Sequence, residues 1–316
     1  MTTYANKTGL PKPADGSKVW GPEFRGAMDY ISAGLFPQYT YEVSPHFTTA
    51  NLGNDGATDR RMFPTIQEAI NAAQGDAYSW LNRIIVHPGV YQETLAISKS
   101  ILITSPTLPE WGVQGGFVGA LLLGAGGQSP LITITPPNSA AISVGFQNLS
   151  MYNQYAATAS YINKPYLIDV RPQSLYDANP VWIGINGCCI RAQTWGFDND
   201  WESMIEARGY NRILVSDCRV LALNYAGGHL NGGIRKLFAV YGDNANGKVA
   251  ELKIRHTAIS QYYTGAGSPC LFYADNKVAG VVVRSEFGTD AVAYPTRIIQ
   301  YGATGTNVIS GVTAAE

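Results

Sequence analysis

From Leu131 onward the chain repeats one short pattern six times. Each unit opens on an apolar tetrad. These are Leu131-Ile132-Thr133-Ile134, Leu167-Ile168-Asp169-Val170, Met204-Ile205-Glu206-Ala207, Leu237-Phe238-Ala239-Val240, Leu271-Phe272-Tyr273-Ala274 and Ile298-Ile299-Gln300-Tyr301. A second strand follows 12 to 21 residues later, with a small or modest residue two places before an apolar one: Leu149/Met151, Cys188/Ile190, Cys218/Val220, Thr257/Ile259, Ser285/Phe287 and Ser310/Val312. The opening tetrads are spaced 36, 37, 33, 34 and 27 residues apart. A unit this short cannot bury its own apolar face, so it must stack on its neighbours. Parallel strands stack about 4.8 Å apart, which places equivalent residues of successive units directly above one another. Inward columns must then be apolar in every unit, as the tetrads are.

Composition agrees. Charged residues are 14% of the chain, with 34 Gly and 19 Tyr, which suits an all-β protein with many turns. A net charge of −1 and no basic run argue against nucleic acid as a partner. The four cysteines, Cys188, Cys189, Cys218 and Cys270, form no CxxC pair, so no metal site and no cofactor is implied. Cys188 and Cys218 share a column, where free thiols serve as small buried hydrophobes; a disulfide between units is the alternative. No apolar run approaches the roughly 18 residues of a membrane span. The N-terminus lacks the charged-then-apolar pattern of a secretion signal, so synthesis in a cytoplasm is expected.

Before the repeats, residues 1–50 form an arm. Thr8 to Gly16 is rich in Pro and Gly and reads as extended and turn-like. Residues 20–31 read as a short helix, with Phe24, Met28 and Ile31 in one stripe. Residues 51–80 hold the turn cluster Asn54 to Asp59 and a second helix over 65–73. There Thr65 and Glu68 have capping-box spacing, and Ile66, Ala69, Ile70 and Ala73 form an apolar face. This helix is suited to covering the open end of stacked strands. Residues 81–316 are the stacked strands, starting with two around a Pro88-Gly89 turn.

Two phrases resemble known families. Pro13-Ala14-Asp15-Gly16, followed by Trp20-Gly21 and a short helix, resembles an N-terminal segment of bacteriophage tail fibres. It implies virion attachment through Pro13, Asp15, Trp20, Phe24 and Met28. The stretch from Asp55-Gly56-Ala57-Thr58-Asp59 through the helix to Pro88-Gly89-Val90-Tyr91-Gln92-Glu93 resembles the start of the pectin-lyase-like superfamily. That resemblance implies an all-β, right-handed, single-stranded parallel β-helix with a short N-terminal capping helix. Beyond these first strands the pectin methylesterase pattern does not continue, and the calcium-binding Asp cluster of pectate lyases is not recognisable. No catalytic residue is carried over.

The best local cluster for chemistry is Trp195-Gly196-Phe197-Asp198-Asn199-Asp200-Trp201-Glu202. Aromatic faces suit sugar rings, and two carboxyls about 5–9 Å apart could cleave a glycosidic bond. Asp198, Asp200 and Glu202 are thus catalytic candidates, set against a merely solvated acidic loop or one wedged against a neighbouring subunit. Trp195, Phe197, Trp201, Tyr225, Tyr262 and Tyr263 are candidate saccharide contacts. Asp169 and Glu206 share an outward column, where stacking two like charges raises one pKa of the pair; solvation, or bridging by Arg171 or Arg208, is the simpler expectation. His229 stands in a Gly-rich loop without a visible partner.

The resemblances imply a phage spike or fibre, made in the host cytoplasm and exposed on the virion. They imply a homotrimer, bound by its arm to other tail or capsid proteins and by its β-helix to host surface polysaccharide. Two other readings stay open. One is a polysaccharide-degrading depolymerase acting as hydrolase, lyase or esterase. The other is a structural decoration or adaptor spike that binds no glycan.

Overall fold

In the computed structural model each repeat carries three strands, one more than the tetrad and its follower. The structure describes residues 3–4, 11–12, 40–47, 62–74, 82–111, 117–124, 130–137, 141–154, 162–171, 180–195, 200–225, 233–242, 250–261, 270–275, 278–283, 286–289, 297–301 and 308–310. Three parallel sheets account for nearly all of them. The first has seven strands, from Gly89–Gln92 to Glu286–Thr289; the second has seven, from Leu95–Ile97 to Arg297–Tyr301. The third has ten, and includes Thr40–Val43, Met62–Phe63 and Arg83–Val86 before it runs on to Val308–Ser310. The chain visits the sheets in rotation: Leu149–Gln154, Ile162–Val170 and Val181–Asn186 are followed by Cys189–Trp195, Asp200–Arg208 and Asn211–Ser216. The arrangement is compatible with a parallel β-helix.

The expected columns are present. Ile132, Ile168, Ile205, Phe238, Phe272 and Ile299 stand in register on the second sheet. Met151, Ile190, Val220, Ile259 and Phe287 do so on the first. The small column is buried over Leu149, Cys188, Cys218 and Thr257. All four cysteines are free thiols, and the Cys188 N–H lies 3.4 Å from the Cys218 sulfur.

In four successive repeats the passage from the third sheet to the first is a tight corner of one or two residues, with one residue in the left-handed region. These residues are Asn148, Gly187, Asp217 and His256, at φ of 57°, 61°, 54° and 45°. These residue types tolerate the left-handed region best, because a short polar side chain, or none, relieves its crowding. The corners also bond to one another. Asn148 N–H donates to the Asn186 carbonyl, and Gly187 and Asp217 donate likewise to Ser216 and Arg255, at 3.0–3.1 Å.

The first strands depart from expectation in one detail. Three strands, Arg83–Val86, Gly89–Gln92 and Leu95–Ile97, lie where two were expected. The third begins a new sheet after a bend at Glu93 and Thr94. Helix α1 (Ile66–Gln74) packs Ile66, Ala69, Ile70 and Ala73 against the first strands of the second and third sheets. Glu68 N–H donates to Thr65 Oγ1 at 3.2 Å, as the capping-box spacing requires.

A second clasp was not anticipated. The Glu93 carboxylate accepts the N–H groups of Ile66 and Gln67, both at 2.8 Å. Gln67 in turn holds the Ala96 N–H at 2.8 Å and reaches the Ala96 carbonyl at 3.3 Å. A carboxylate at a helix N-terminus satisfies free amide donors and complements the helix dipole. Glu93→Ala is therefore expected to destabilise the protein by about 1–2 kcal/mol. Burial lifts this carboxyl above the ordinary glutamate range, outweighing the two amide hydrogen bonds that pull it down. The folded state thus keeps the Glu93 proton to a higher pH than the unfolded chain does. Its favourable contribution is full at acid pH and is lost as pH rises through the folded value. Thermal unfolding from about pH 4 to about pH 7 should fall less steeply in Glu93→Gln than in the parent.

Candidate functional site

The stacked carboxylates come first, because the second sheet sets them in register. Thr133, Asp169, Glu206, Ala239 and Tyr273 form one outward column. Adjacent members are about 4.8 Å apart along the stack. The pairing matches expectation, and of the two environments expected the arginine-bridged one is present, not the solvated one. Asp169 is 6% exposed and Glu206 is 2% exposed, so neither is solvated.

Each carboxylate is held by the arginine two positions further along the chain. Arg171 Nε lies 2.9 and 2.7 Å from the two oxygens of Asp169. Arg208 Nε donates to Glu206 Oε1 at 2.7 Å, and Ser203 Oγ donates to Oε2 at 2.9 Å. The Arg208 guanidinium lies 4.7 Å from the centre of the Tyr241 ring. Tyr241 packs on Tyr273 with 5.5 Å between ring centres, and Lys236 Nζ sits 3.9 Å from the centre of Tyr273. Burial raises the Asp169 pKa; its hydrogen bond to Arg171 pulls the other way, and the neighbouring Glu206 charge adds to the rise. Burial pulls the Arg208 pKa down, but the charge and hydrogen bond of Glu206 leave it raised. Both oxygens of each carboxylate are engaged by donors. The column is thus a ladder of carboxylates held by guanidinium groups.

The aromatic and acidic loop is described only at its edges. Trp195 closes the strand Cys189–Trp195 and pairs with Tyr225 on the first sheet. Asp200, Trp201 and Glu202 open the strand Asp200–Arg208, where Trp201 pairs with Ile162 and Ile234, and Asp200 with Gly233. Phe197, Asp198, His229, Tyr262 and Tyr263 lie outside the described residues, as do Pro13, Asp15, Trp20, Phe24, Met28 and the helix expected over 20–31.

The feature missed from sequence lies on the outer face of the third sheet, a groove of about 550 Å³. Its floor is the column Leu102, Gly145, Gly184, Leu214 and Lys253, in register across five strands. The Leu102 side chain covers Gly145, since a Cβ there would meet Leu102 Cδ1 at 2.7 Å. Over Gly184 there is open space, with nothing within 4 Å of an added Cβ. One flank is the next outward column, Ser143, Trp182, Arg212 and Glu251. Trp182 is 46% exposed, with the Arg212 guanidinium 4.9 Å from its ring. Arg212 also bonds the Tyr210 hydroxyl at 3.1 Å. The signal was the alternation Val181-Trp182-Ile183-Gly184-Ile185, which turns a tryptophan and a glycine outward between buried aliphatics.

No family model, curated protein or solved structure matches the chain. Among the described residues, no group of three or more His, Cys, Asp or Glu is placed to hold a metal ion. No helix among them is long and apolar enough to cross a membrane.

Proposed function

We propose that the chain is a virion spike or fibre protein of a bacteriophage that binds host surface polysaccharide without cleaving it. In this reading residues 81–316 form a right-handed β-helix, residues 51–80 its cap and residues 1–50 the arm that anchors it to the particle. Three copies stand side by side on the virion. The observation that carries binding over cleavage is the state of Asp169 and Glu206. These stacked carboxylates are buried and bound by guanidinium groups, whereas Trp182 is exposed beside an open groove. Aromatic faces beside polar groups are what a sugar ring requires.

The test is to incubate purified protein with host-envelope polysaccharide. Binding should be measured by biolayer interferometry, and chain length by chromatography. The polymer is expected to bind and keep its length, and light scattering should give three times the chain mass. New reducing ends or unsaturated products, lost in Asp200→Ala or Glu202→Ala, would make the protein a depolymerase instead.

A further inference from the structure

We infer that the groove over Gly184 is a subsite for a carboxylate-bearing sugar ring. The inference rests on the saccharide-binding reading above and assigns it a place and a ligand class.

Three observations converge on this position. The first is the space. Strand residues on an outward column normally fill it with side chains, but here Gly184 leaves a gap one residue deep between Leu102 and Leu214. The gap sits on a rigid floor, because Val181, Ile183 and Ile185 of the same strand are buried at 0–3% exposure. Such a recess needs no rearrangement to admit a ring, which keeps the entropic cost of binding low.

The second is the aromatic wall. Within its column Trp182 stands between Ser143 and Arg212. Arg212 lies over the indole and holds it in place. The neighbour on the other side is a serine, too small to cover a tryptophan ring. An exposed indole with one face covered by a cation and a small residue beyond the other suits stacking on the apolar face of a pyranose.

The third is charge. The groove is bordered by Arg212, Lys253 and Arg255, against Glu251 alone among acids. Lys253 and Glu251 neutralise each other at 3.2 Å. Arg212 and Arg255 remain as cations facing the recess, in a chain whose net charge is −1. Arg212 Nε is buried and has no hydrogen-bond partner. Its guanidinium is oriented by stacking and by the Tyr210 hydroxyl. Guanidinium groups recognise carboxylates through paired N–H donors. A ring with one apolar face and one carboxylate, such as a hexuronate, satisfies space, wall and charge together.

The experiment uses the full chain and two tetrasaccharide probes, one of glucuronate and one of neutral glucose, in titration calorimetry. The glucuronate probe should bind at least about tenfold more tightly, with the difference shrinking as salt is raised. Gly184→Leu should abolish binding. Its backbone conformation accepts a side chain and the space is empty, so the variant should keep the parent's circular dichroism and melting temperature. Trp182→Ala should weaken binding by about tenfold or more. Arg212→Met should remove most of the preference for the acidic probe. Equal binding of the two probes by the parent overturns the carboxylate assignment. Undiminished binding of envelope polysaccharide by Gly184→Leu overturns the groove but leaves the saccharide-binding reading standing. If the parent binds neither probe nor envelope polysaccharide, both fall. If Trp182→Ala or Gly184→Leu instead lowers the oligomer mass, the face is an interface between copies and the proposal fails.

Discussion

Phe238→Ala should lower stability by about 3–5 kcal/mol. Phe238 is 1% exposed and packs nearly parallel to Phe272, with ring centres 5.7 Å apart at an angle of 22°. Both rings occupy the inward column that holds Ile205 before them, and Phe272 is in backbone register with Ile299. In a compact domain, neighbouring elements partly collapse into a truncated site. Here the stack resists collapse, because the spacing of successive strands is set by their hydrogen bonds and not by side-chain bulk. Most of the vacated volume should remain as a cavity. Because each coil touches only its neighbours, the loss should also concentrate at one boundary. Urea unfolding of Phe238→Ala should broaden, with the strands after Gly233–Tyr241 released before those preceding it. Phe272→Ala should behave similarly, and the double variant should cost less than the two single costs added, because the ring–ring contact is lost only once. Leu102→Ala, at 36% exposure, is the control and should shift stability by no more than about 0.5 kcal/mol. Equal costs for Phe238→Ala and Leu102→Ala would refute the column argument.

Legibility divides along the same physical line. The second sheet could be read from sequence because its inward residues adjoin other buried ones: Leu131, Ile132 and Ile134 are all fully buried, so the tetrad is nearly continuous. Within the six repeats the third sheet could not. Its strands alternate strictly, as in Ile142-Ser143-Val144-Gly145-Phe146-Gln147, and their outward positions include glycines that read as loop. Helix α1 was legible because its apolar stripe and its Thr65 cap are local. Glu93 was not, because it acts on Ile66 and Gln67 from 27 and 26 residues away.

The candidate site shows the same limit. Periodicity places Asp169 and Glu206 in one outward column, and that much holds. Whether an outward residue meets water depends on what neighbouring strands lay over it, and here Arg208, Tyr241 and Lys236 form a polar layer around Glu206. The groove is harder still to foresee. It exists because Gly184 of one strand comes to lie between Gly145 of the strand stacked before it and Leu214 of the strand stacked after it, 39 and 30 residues away in the chain.

Glu206→Ala should therefore be a damaging polar substitution, at about 2–3 kcal/mol, since the Arg208 guanidinium it strands is only partly buried. Removing this carboxylate strands the partly buried Arg208 guanidinium and leaves the Ser203 hydroxyl, 0% exposed, without its acceptor. The cost lies in the groups left unpaired, not in the salt bridge itself, and this distinction can be measured. Glu206→Gln keeps the size and one acceptor oxygen for Arg208, while its amide nitrogen can donate to the Ser203 hydroxyl, so it should cost clearly less than alanine. Replacing Glu206 and Arg208 together by apolar residues of similar size should cost less than Glu206→Ala alone, because no buried charge is then orphaned. A double variant worse than either single variant would show instead that the pair is itself stabilising. The ladder also predicts a titration. Burial is the main cause of Asp169's raised pKa, and the Glu206 charge adds to it. With Asp169 raised, its favourable contribution to stability is full at acid pH and is lost as pH rises through the folded value. Glu206→Gln removes the like-charge contribution, so the carboxyl of Asp169, followed by carbon NMR, should titrate at lower pH than in the parent. An unmoved Asp169 would mean that the two carboxylates, though neighbours in the stack, are already insulated by the arginines that hold them.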